Sequence, residues 1–227
     1  MTSPQGKKPA SGLGLGGFAE RALVHENQLA LVPKDMPFAP AALLGCGVVT
    51  GAGAVLNTAH VSAGDTVVVF GAGGVGLNAI SARIAGASRV VAIDIQPKRL
   101  EAAKSFGATD VIDSTKTKTV EAVRDLLHGG ADHVFYFVGL KAVAEQGLAM
   151  LAVGGGLYLV GVSKPELSLD LNIFDAIGGQ KRVQGVNFGS TNFKRDIPMY
   201  AGLYLQGRMN LDDLVSKTIA LRDVNDG

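Results

Sequence analysis

The amino-acid sequence predicts an α/β protein built on a doubly wound parallel sheet of the Rossmann type. From residue 66 onward, short and almost wholly apolar segments alternate with segments of helical periodicity. Strands of this kind are buried on both faces, and a helix between two strands returns the chain over the sheet. A glycine-rich turn directly after the first of these strands is a further indication, because dinucleotide-binding domains begin with such a turn.

The elements follow in order along the chain. Residues 1–17 are rich in Gly, Ser, Lys and Pro and are expected to form a loop. Alternation over residues 18–32 predicts strands, and a turn-rich link over residues 33–40 leads into a mostly helical segment over residues 41–60. Further strands are predicted at residues 66–70, 89–93, 110–112, 133–138, 157–162 and 182–186. Further helices are predicted at residues 76–86, 97–106, 118–128, 141–151 and 193–206.

The composition excludes two classes of partner. With 47% hydrophobic and 18% charged residues, the 227-residue chain can bury one full domain and part of another. The net charge is +1 and the basic residues are scattered, so neither nucleic acid nor an anionic membrane is an expected partner. The single cysteine, Cys46, cannot form an internal disulfide, and no signal pattern is recognised. We expect a globular, cytoplasmic protein that does not span a membrane.

The turn after the first apolar strand has the spacing of a phosphate-binding loop. In the segment TVVVFGAGGVGLNAI, Gly71 permits the tight turn, Gly73 allows close approach of a pyrophosphate, and Gly76 allows the helix to pack on the strand. Gly74 and Val75 lie between them, where unpaired N–H groups at the helix N-terminus attract an anion. A plain structural turn is the alternative.

An acidic residue at the end of the next strand strengthens the prediction of a dinucleotide site. Asp94 follows RVVAI, about 20 residues after the turn, where a carboxylate accepts hydrogen bonds from the ribose hydroxyls. A carboxylate at this position repels a 2′-phosphate, so NAD is favoured over NADP. Arg99 either reaches the same ribose or is a solvated helix residue, and Lys98 has the same ambiguity.

The glycine turn belongs to a longer segment that resembles a known family. Residues 43–76, LLGCGVVTGAGAVLNTAHVSAGDTVVVFGAGGVG, are similar to the zinc-dependent alcohol dehydrogenases of the medium-chain dehydrogenase/reductase superfamily. Three motifs follow in the family's order and spacing: FGATD at 106–110, GGAD at 129–132 and LVGV at 159–162. The resemblance implies a remnant of a GroES-like catalytic domain over residues 1–45, an NAD-binding Rossmann domain over 46–187, and an incomplete return to the catalytic domain over 188–227.

The resemblance implies hydride transfer between an alcohol and NAD, assisted by a catalytic zinc ion. In this family the cysteine of the Gly-Cys-Gly motif is a zinc ligand, which corresponds to Cys46, and the position of Thr50 lines the cofactor cleft. Segments that hold the nicotinamide carboxamide match Val160, Gly161, Val162, Val186 and Phe188. The apolar wall near the adenosine end matches Val138.

The sequence departs from the family in its zinc ligands. A catalytic zinc ion needs three protein ligands, and this chain offers only Cys46 at a matching position. The pair His25-Glu26 lies in a segment that matches a strand, so an exposed strand position is the better interpretation. We therefore expect a truncated dehydrogenase that is inactive by itself.

Two alternatives remain open at this stage: a non-catalytic NAD-binding or dimerisation module, and a zinc-free reductase of the same superfamily. Relatives also imply a homodimer or homotetramer for the complete protein, and a small alcohol or aldehyde as its substrate.

Overall fold

The computed structural model describes residues 16–225, and its centre is a six-stranded parallel sheet. The strands are β1 (Thr66–Phe70), β2 (Arg89–Asp94), β3 (Asp110–Asp113), β4 (Ala131–Tyr136), β5 (Leu151–Leu159) and β6 (Arg182–Gly185). Their spatial order is β3-β2-β1-β4-β5-β6, and every adjacent pair is parallel. The order reverses between β1 and β4, so the predicted doubly wound α/β fold is confirmed.

Helices join these strands on both faces of the sheet. A helical run, Phe38–Thr58, precedes β1 and contains α1 (Phe38–Leu43) and α2 (Val49–Gly53), each followed by a π-helical segment. The remaining helices are α3 (Gly74–Ile80), α4 (Pro97–Ser105), α5 (Thr119–Leu126), α6 (Lys141–Ala149), α7 (Ile173–Gly178) and α8 (Phe193–Leu205). The predicted helix over residues 76–86 is shorter than expected, because a 3₁₀ segment, Ser81–Ala85, replaces its second half.

The apolar residues of the strands form two cores, one on each face of the sheet. Val67, Val69 and Ile80 belong to one cluster, and Val68, Val134 and Leu157 belong to the other. A third cluster packs α8 and Met209 against the helical run through Leu44 and Val48. The run is long and apolar enough to cross a membrane, but half of the tested window is buried inside the protein, as expected for a core helix.

The strands predicted over residues 18–32 are wrong. The described part of that segment contains bends and one 3₁₀ turn, Glu26–Gln28, without a strand. Leu23 and Leu31 are 98% and 87% exposed, so the alternating pattern has no partner strand or core to pack against within residues 16–225. His25 does not occupy a strand position but caps the turn, since its Nδ1 accepts from the Asn27 N–H. The predicted loop over residues 1–17 lies mostly outside the described residues.

The fifth strand begins earlier than predicted. Residues 154–156 look like a turn in the sequence, but they lie inside β5. The pairing with β4 shifts register between Ala131 and His133, which accommodates the extra residues as a bulge. A Cβ on Gly155 would lie 2.7 Å from the Ala131 carbonyl oxygen, so glycine is required there by the close approach of β4. Helix α7 was not predicted.

Candidate functional site

A cleft of about 490 Å³ opens at the point where the strand order reverses. It lies outside the carboxyl ends of the strands, between the turn after β1 and the segment after β4. Open parallel sheets bind ligands at such a switch point, because the loops on its two sides diverge over opposite faces. Eight residues predicted from the sequence line it: Gly71, Gly73, Gly74, Val75, Gly76, Asp94, Arg99 and Val138.

The glycine turn has two positions that only glycine can occupy. Gly71 has φ +93°, and its N–H donates to the Ile93 carbonyl at 2.8 Å, which fastens the turn to β2. A Cβ on Gly76 would lie 1.8 Å from the Gly71 carbonyl oxygen, so α3 starts in direct contact with the turn. Gly73 differs, since a Cβ there would meet no atom within 4 Å and would project into open space.

Asp94 is fixed by backbone donors at the edge of the cleft. Its side chain is 4% exposed, and its Oδ2 accepts from the Ala72 N–H while Oδ1 accepts from the Gln96 N–H, each at 2.9 Å. Each carboxylate oxygen has a second lone pair, so the group retains acceptor capacity toward the cleft. The link from Asp94 to Ala72 also couples the end of β2 to the glycine turn.

Arg99 stands beside this carboxylate. Its Nη1 lies 3.7 Å from Asp94 Oδ2, and its side chain is 48% exposed. An ion pair this open to solvent contributes little to stability. The guanidinium therefore keeps most of its five donors available at the mouth of the cleft. Lys98 is exposed and does not line the cleft.

The residues matched to the nicotinamide side follow the carboxyl ends of β5 and β6. The N–H groups of Val160 and Gly161 both donate to the Tyr136 carbonyl, at 3.0 and 2.9 Å. The Val186 N–H donates to the Leu159 carbonyl at 2.9 Å. Val162 is 98% exposed and Phe188 is 44% exposed. These residues follow the carboxyl ends of their strands but lie outside the lining of the cleft.

Cys46 and Thr50 lie on the helical run and also outside the lining of the cleft. Cys46 is exposed in the π-helical segment Leu44–Val48, and Thr50 is half-buried in α2. Helix α2 packs on α3 at very short range, since a Cβ on Gly51 would lie 2.2 Å from the Val75 carbonyl oxygen. Among residues 16–225 no three His, Cys, Asp or Glu side chains are grouped to hold a metal ion.

A buried carboxylate ties the segment after β6 to the helical run. Asp196 is fully buried, and its Oδ2 accepts from Asn57 Nδ2 at 2.9 Å and from the Asn192 N–H at 3.0 Å. Asn57 Nδ2 also donates to the Gly189 carbonyl at 3.3 Å. These contacts hold the 3₁₀ turn Phe188–Ser190 against the helical run that carries Thr50. The sequence analysis did not identify this network.

The cleft also has lining residues that sequence reasoning missed. Ser114 and Thr119 lie beyond β3, and Phe137 and Leu140 lie beyond β4. They follow the carboxyl ends of strands next to β1 or β2, so the switch-point rule could have found them once the strand order was assumed. No residue-type pattern distinguishes them in the sequence.

A second, polar cleft lies at the amino ends of the strands. There His133 is buried, with Nε2 3.0 Å from Asp65 Oδ2 and Nδ1 3.3 Å from the Tyr158 hydroxyl. Burial raises the pKa of Tyr158, while the nearby Arg182 opposes the shift. The three side chains satisfy one another, so this network connects β1, β4 and β5.

The parallel sheet, its switch point and the glycine turn define a Rossmann-type α/β domain. The chain belongs to the zinc-binding dehydrogenase family, whose sequence profile matches residues 74–202.

Relatives and solved structures agree with this assignment. The chain is 37% identical over 216 residues to the probable S-(hydroxymethyl)glutathione dehydrogenase 1 of Schizosaccharomyces pombe, covering 94% of this chain and 57% of that protein. Benzyl alcohol dehydrogenase from Acinetobacter calcoaceticus superposes with a TM-score of 0.87 at 36% identity, covering 90% of this chain and 57% of the other. A protein from Sinorhizobium meliloti 1021 bound to NADP has a TM-score of 0.79 at 25% identity, covering 86% and 56%. The chain spans about 57% of the length of the first of these relatives.

Proposed function

We propose that this chain is the cofactor-binding part of an NAD- and zinc-dependent alcohol dehydrogenase, and that the complete protein transfers hydride between a small alcohol or aldehyde and NAD. The observation that carries the proposal is the union of the glycine turn and Asp94 at the switch point. The turn offers N–H groups and a helix N-terminus to the pyrophosphate, and Asp94 offers acceptors to the adenosine ribose. Val138 then covers the adenosine end.

The preference for NAD follows from the charge at the edge of the cleft. Asp94 is held by two backbone donors, so it cannot turn away from a 2′-phosphate without losing both. A 2′-phosphate beside Asp94 would be destabilised by the repulsion between two negative charges at short range. Arg99 is the group that could relieve this repulsion. The structural neighbour from Sinorhizobium meliloti 1021 is bound to NADP, which supports a nicotinamide dinucleotide as the class of ligand.

The nicotinamide end is proposed to lie along the carboxyl ends of β5 and β6. Backbone groups of Val160, Gly161 and Val162 would orient the carboxamide there, with Val186 and Phe188 in the segment that follows β6. Thr50 would border the same part of the cofactor from α2. The contacts of Asn57 and Asp196 support this role, because they fix the turn of Phe188 relative to α2.

A zinc ion does not fit the donor set of residues 16–225, because no three His, Cys, Asp or Glu side chains are grouped there and a catalytic zinc ion needs three protein ligands. We propose that Cys46 supplies one thiolate ligand in the complete protein and that the other ligands come from outside this chain. When bound, zinc would act as a Lewis acid on the substrate oxygen. Zinc analysis of the purified chain should therefore find well below one equivalent.

The proposed division of the chain is a remnant of the catalytic domain over residues 1–45, the NAD-binding domain over 46–187 and a return segment over 188–227. The proposed compartment is the cytoplasm.

A test of cofactor binding uses Gly73, where an added side chain should leave the free energy of unfolding unchanged. Gly73 has φ −79° and ψ −175°, which valine also adopts, and its Cβ would enter open space. Gly73→Val should therefore fold normally and lose NADH binding, measured by NADH fluorescence, because the side chain occupies the position of the pyrophosphate. Gly202→Val is the control, since that Cβ also meets nothing within 4 Å but lies on α8. Equal NADH affinity in the two variants would refute the site.

A second role, as a dimerisation module, is favoured by β6, which is an edge strand of the sheet within residues 16–225. Strand β6 is exposed along its length, and Ile173, Phe174 and Ile177 on the preceding α7 are 74%, 84% and 73% exposed. An unpaired strand edge beside apolar side chains is a surface for a second copy of the chain. We propose a homodimer formed at this edge, with a homotetramer as a further assembly.

A further inference from the structure

A small cavity lies between the helical run, α3 and α8, apart from both clefts. The centre of a water molecule can occupy about 10 Å³ of it, which is close to the least that one molecule needs. Most of its lining is apolar, including Val55, Leu56 and Met209. Three polar side chains complete the lining: Asn78, Ser81 and Tyr200.

Two of these side chains carry buried polar atoms with no protein partner. Asn78 is 2% exposed and Tyr200 is fully buried, yet Asn78 Oδ1 and the Tyr200 hydroxyl make no hydrogen bond within the described part of the chain. A buried polar group that makes no hydrogen bond destabilises the folded state, because it has lost its contacts with solvent and gained none in return. Both atoms belong to side chains that line the same cavity, which points to a shared partner.

The hydrogen-bonding capacity of each group is defined by its other contacts. Asn78 Nδ2 donates to the Gly74 carbonyl at 2.8 Å, so the amide orientation leaves Oδ1 as a pure acceptor. Ser81 Oγ donates to the Leu77 carbonyl at 3.3 Å, so its lone pairs can still accept. Tyr200 has a free hydroxyl donor. The cavity therefore presents two acceptors and one donor.

We infer that this cavity binds one water molecule, which donates to Asn78 Oδ1 and Ser81 Oγ and accepts from the Tyr200 hydroxyl. Three hydrogen bonds are the usual number for a buried water. A cation is disfavoured, because a charge would lose its hydration against the apolar part of the lining. The volume admits no larger ligand.

The bound water connects α3 and α8 through hydrogen bonds. Asn78 lies on α3, whose first turn forms part of the nucleotide cleft, and Tyr200 lies on α8. Pairing through water satisfies both buried atoms without moving either helix. The inference does not depend on cofactor binding, since it rests only on the cavity and its three polar groups.

The test is a high-resolution crystal structure of the 227-residue chain, with Tyr200→Phe and Tyr204→Phe alongside. The wild type should show a density peak within about 3.2 Å of Asn78 Oδ1, Ser81 Oγ and the Tyr200 oxygen. Tyr200→Phe removes a ligand of the water and should lower or abolish the peak. Tyr204→Phe is the matched control, because the Tyr204 hydroxyl donates to Asp212 at 3.0 Å and does not line the cavity.

Magnetisation transfer from water to the Asn78 side-chain amide gives a second readout in solution. A long-lived contact that is lost in Tyr200→Phe and kept in Tyr204→Phe supports the inference. A dry cavity overturns it. A direct hydrogen bond from Tyr200 to Asn78 also overturns it, as does a water signal that is unchanged in Tyr200→Phe.

Discussion

At the scale of single residues, the cleft depends on atoms placed by the backbone more than on side-chain chemistry. Glycine is required at position 71 because φ is positive there, and at position 76 because α3 lies in direct contact with the glycine turn. Asp94 is oriented by N–H groups on either side of it, one from the glycine turn and one from its own strand end. The same contacts that shape the cleft thus also stabilise the start of α3.

Gly76→Ala should destabilise the whole domain. The added methyl would lie 1.8 Å from the Gly71 carbonyl oxygen, and both groups are backbone-fixed, so α3 must move away from β1. We expect a loss of about 2–3 kcal/mol in the free energy of unfolding, typical of an overpacked site, measured by urea denaturation. Gly73→Ala serves as the control and should change stability little. Equal stability of Gly76→Ala and wild type would contradict the packing account.

Tyr200 predicts a dependence of stability on alkaline pH. Burial raises the pKa of Tyr200 above its ordinary value of 10, so the folded protein holds the phenolic proton more tightly than the unfolded chain does. Its contribution to stability is complete below pH 10 and falls as the pH rises above it. Tyr200→Phe should therefore flatten the decline of unfolding free energy above pH 10 by at most about 1.4 kcal/mol per pH unit. An unchanged slope would show that Tyr200 is ionised or exposed in the folded state.

At the scale of elements, sequence patterning succeeded where burial alone decides structure. The central strands are apolar on both faces, so β1, β2 and β4 were predicted to within two residues at every end. Sequence patterning failed where a neighbouring strand determines the local structure. Residues 154–156 lie in a strand because β4 passes close to Gly155. Patterning also failed over residues 18–32, where alternation was present without a partner strand.

The residues that line the cleft also divide into those that sequence patterning predicts and those that it does not. The glycine turn and Asp94 could be predicted, because each needs a particular residue type at a particular spacing along one stretch of chain. Ser114 and Thr119 could not be predicted from a residue pattern alone, since they reach the cleft only through the pairing of β2 with β3. The water-binding cavity lies beyond any sequence pattern, because it depends on packing among three helical segments.

The edge of the sheet leads to a prediction about assembly. If α7 and β6 pair with a second copy, Ile177→Glu places a charge in an apolar interface and should convert the dimer to a monomer. Sedimentation equilibrium of the two proteins measures this directly. Phe38→Glu is the matched control, because Phe38 is 95% exposed and belongs to α1, not to α7 or β6. Dissociation by both substitutions, or by neither, would argue against this edge as the interface.

At the scale of the whole molecule, residues 16–225 bring the glycine turn and Asp94 together in one cleft, while no three potential metal ligands are grouped among them. The glycine turn, Asp94 and the ends of β5 and β6 all lie at the edge of the sheet formed by the carboxyl ends of the strands. The proposed dinucleotide would lie along this edge. Under the proposed function, the substrate of the complete protein would lie near Cys46 and Thr50, on the helical run that packs against α3.

The most direct measurement is a calorimetric titration of wild type and Asp94→Gly with NADH and NADPH. The wild type should bind NADH at least about tenfold more tightly than NADPH, which corresponds to about 1.4 kcal/mol. Asp94→Gly should weaken NADH binding and remove most of the difference in affinity between NADH and NADPH, because the ribose acceptor and the repulsion of the 2′-phosphate are lost together. No NADH binding by the wild type, or an unchanged NADH-to-NADPH ratio in Asp94→Gly, would contradict the proposed site.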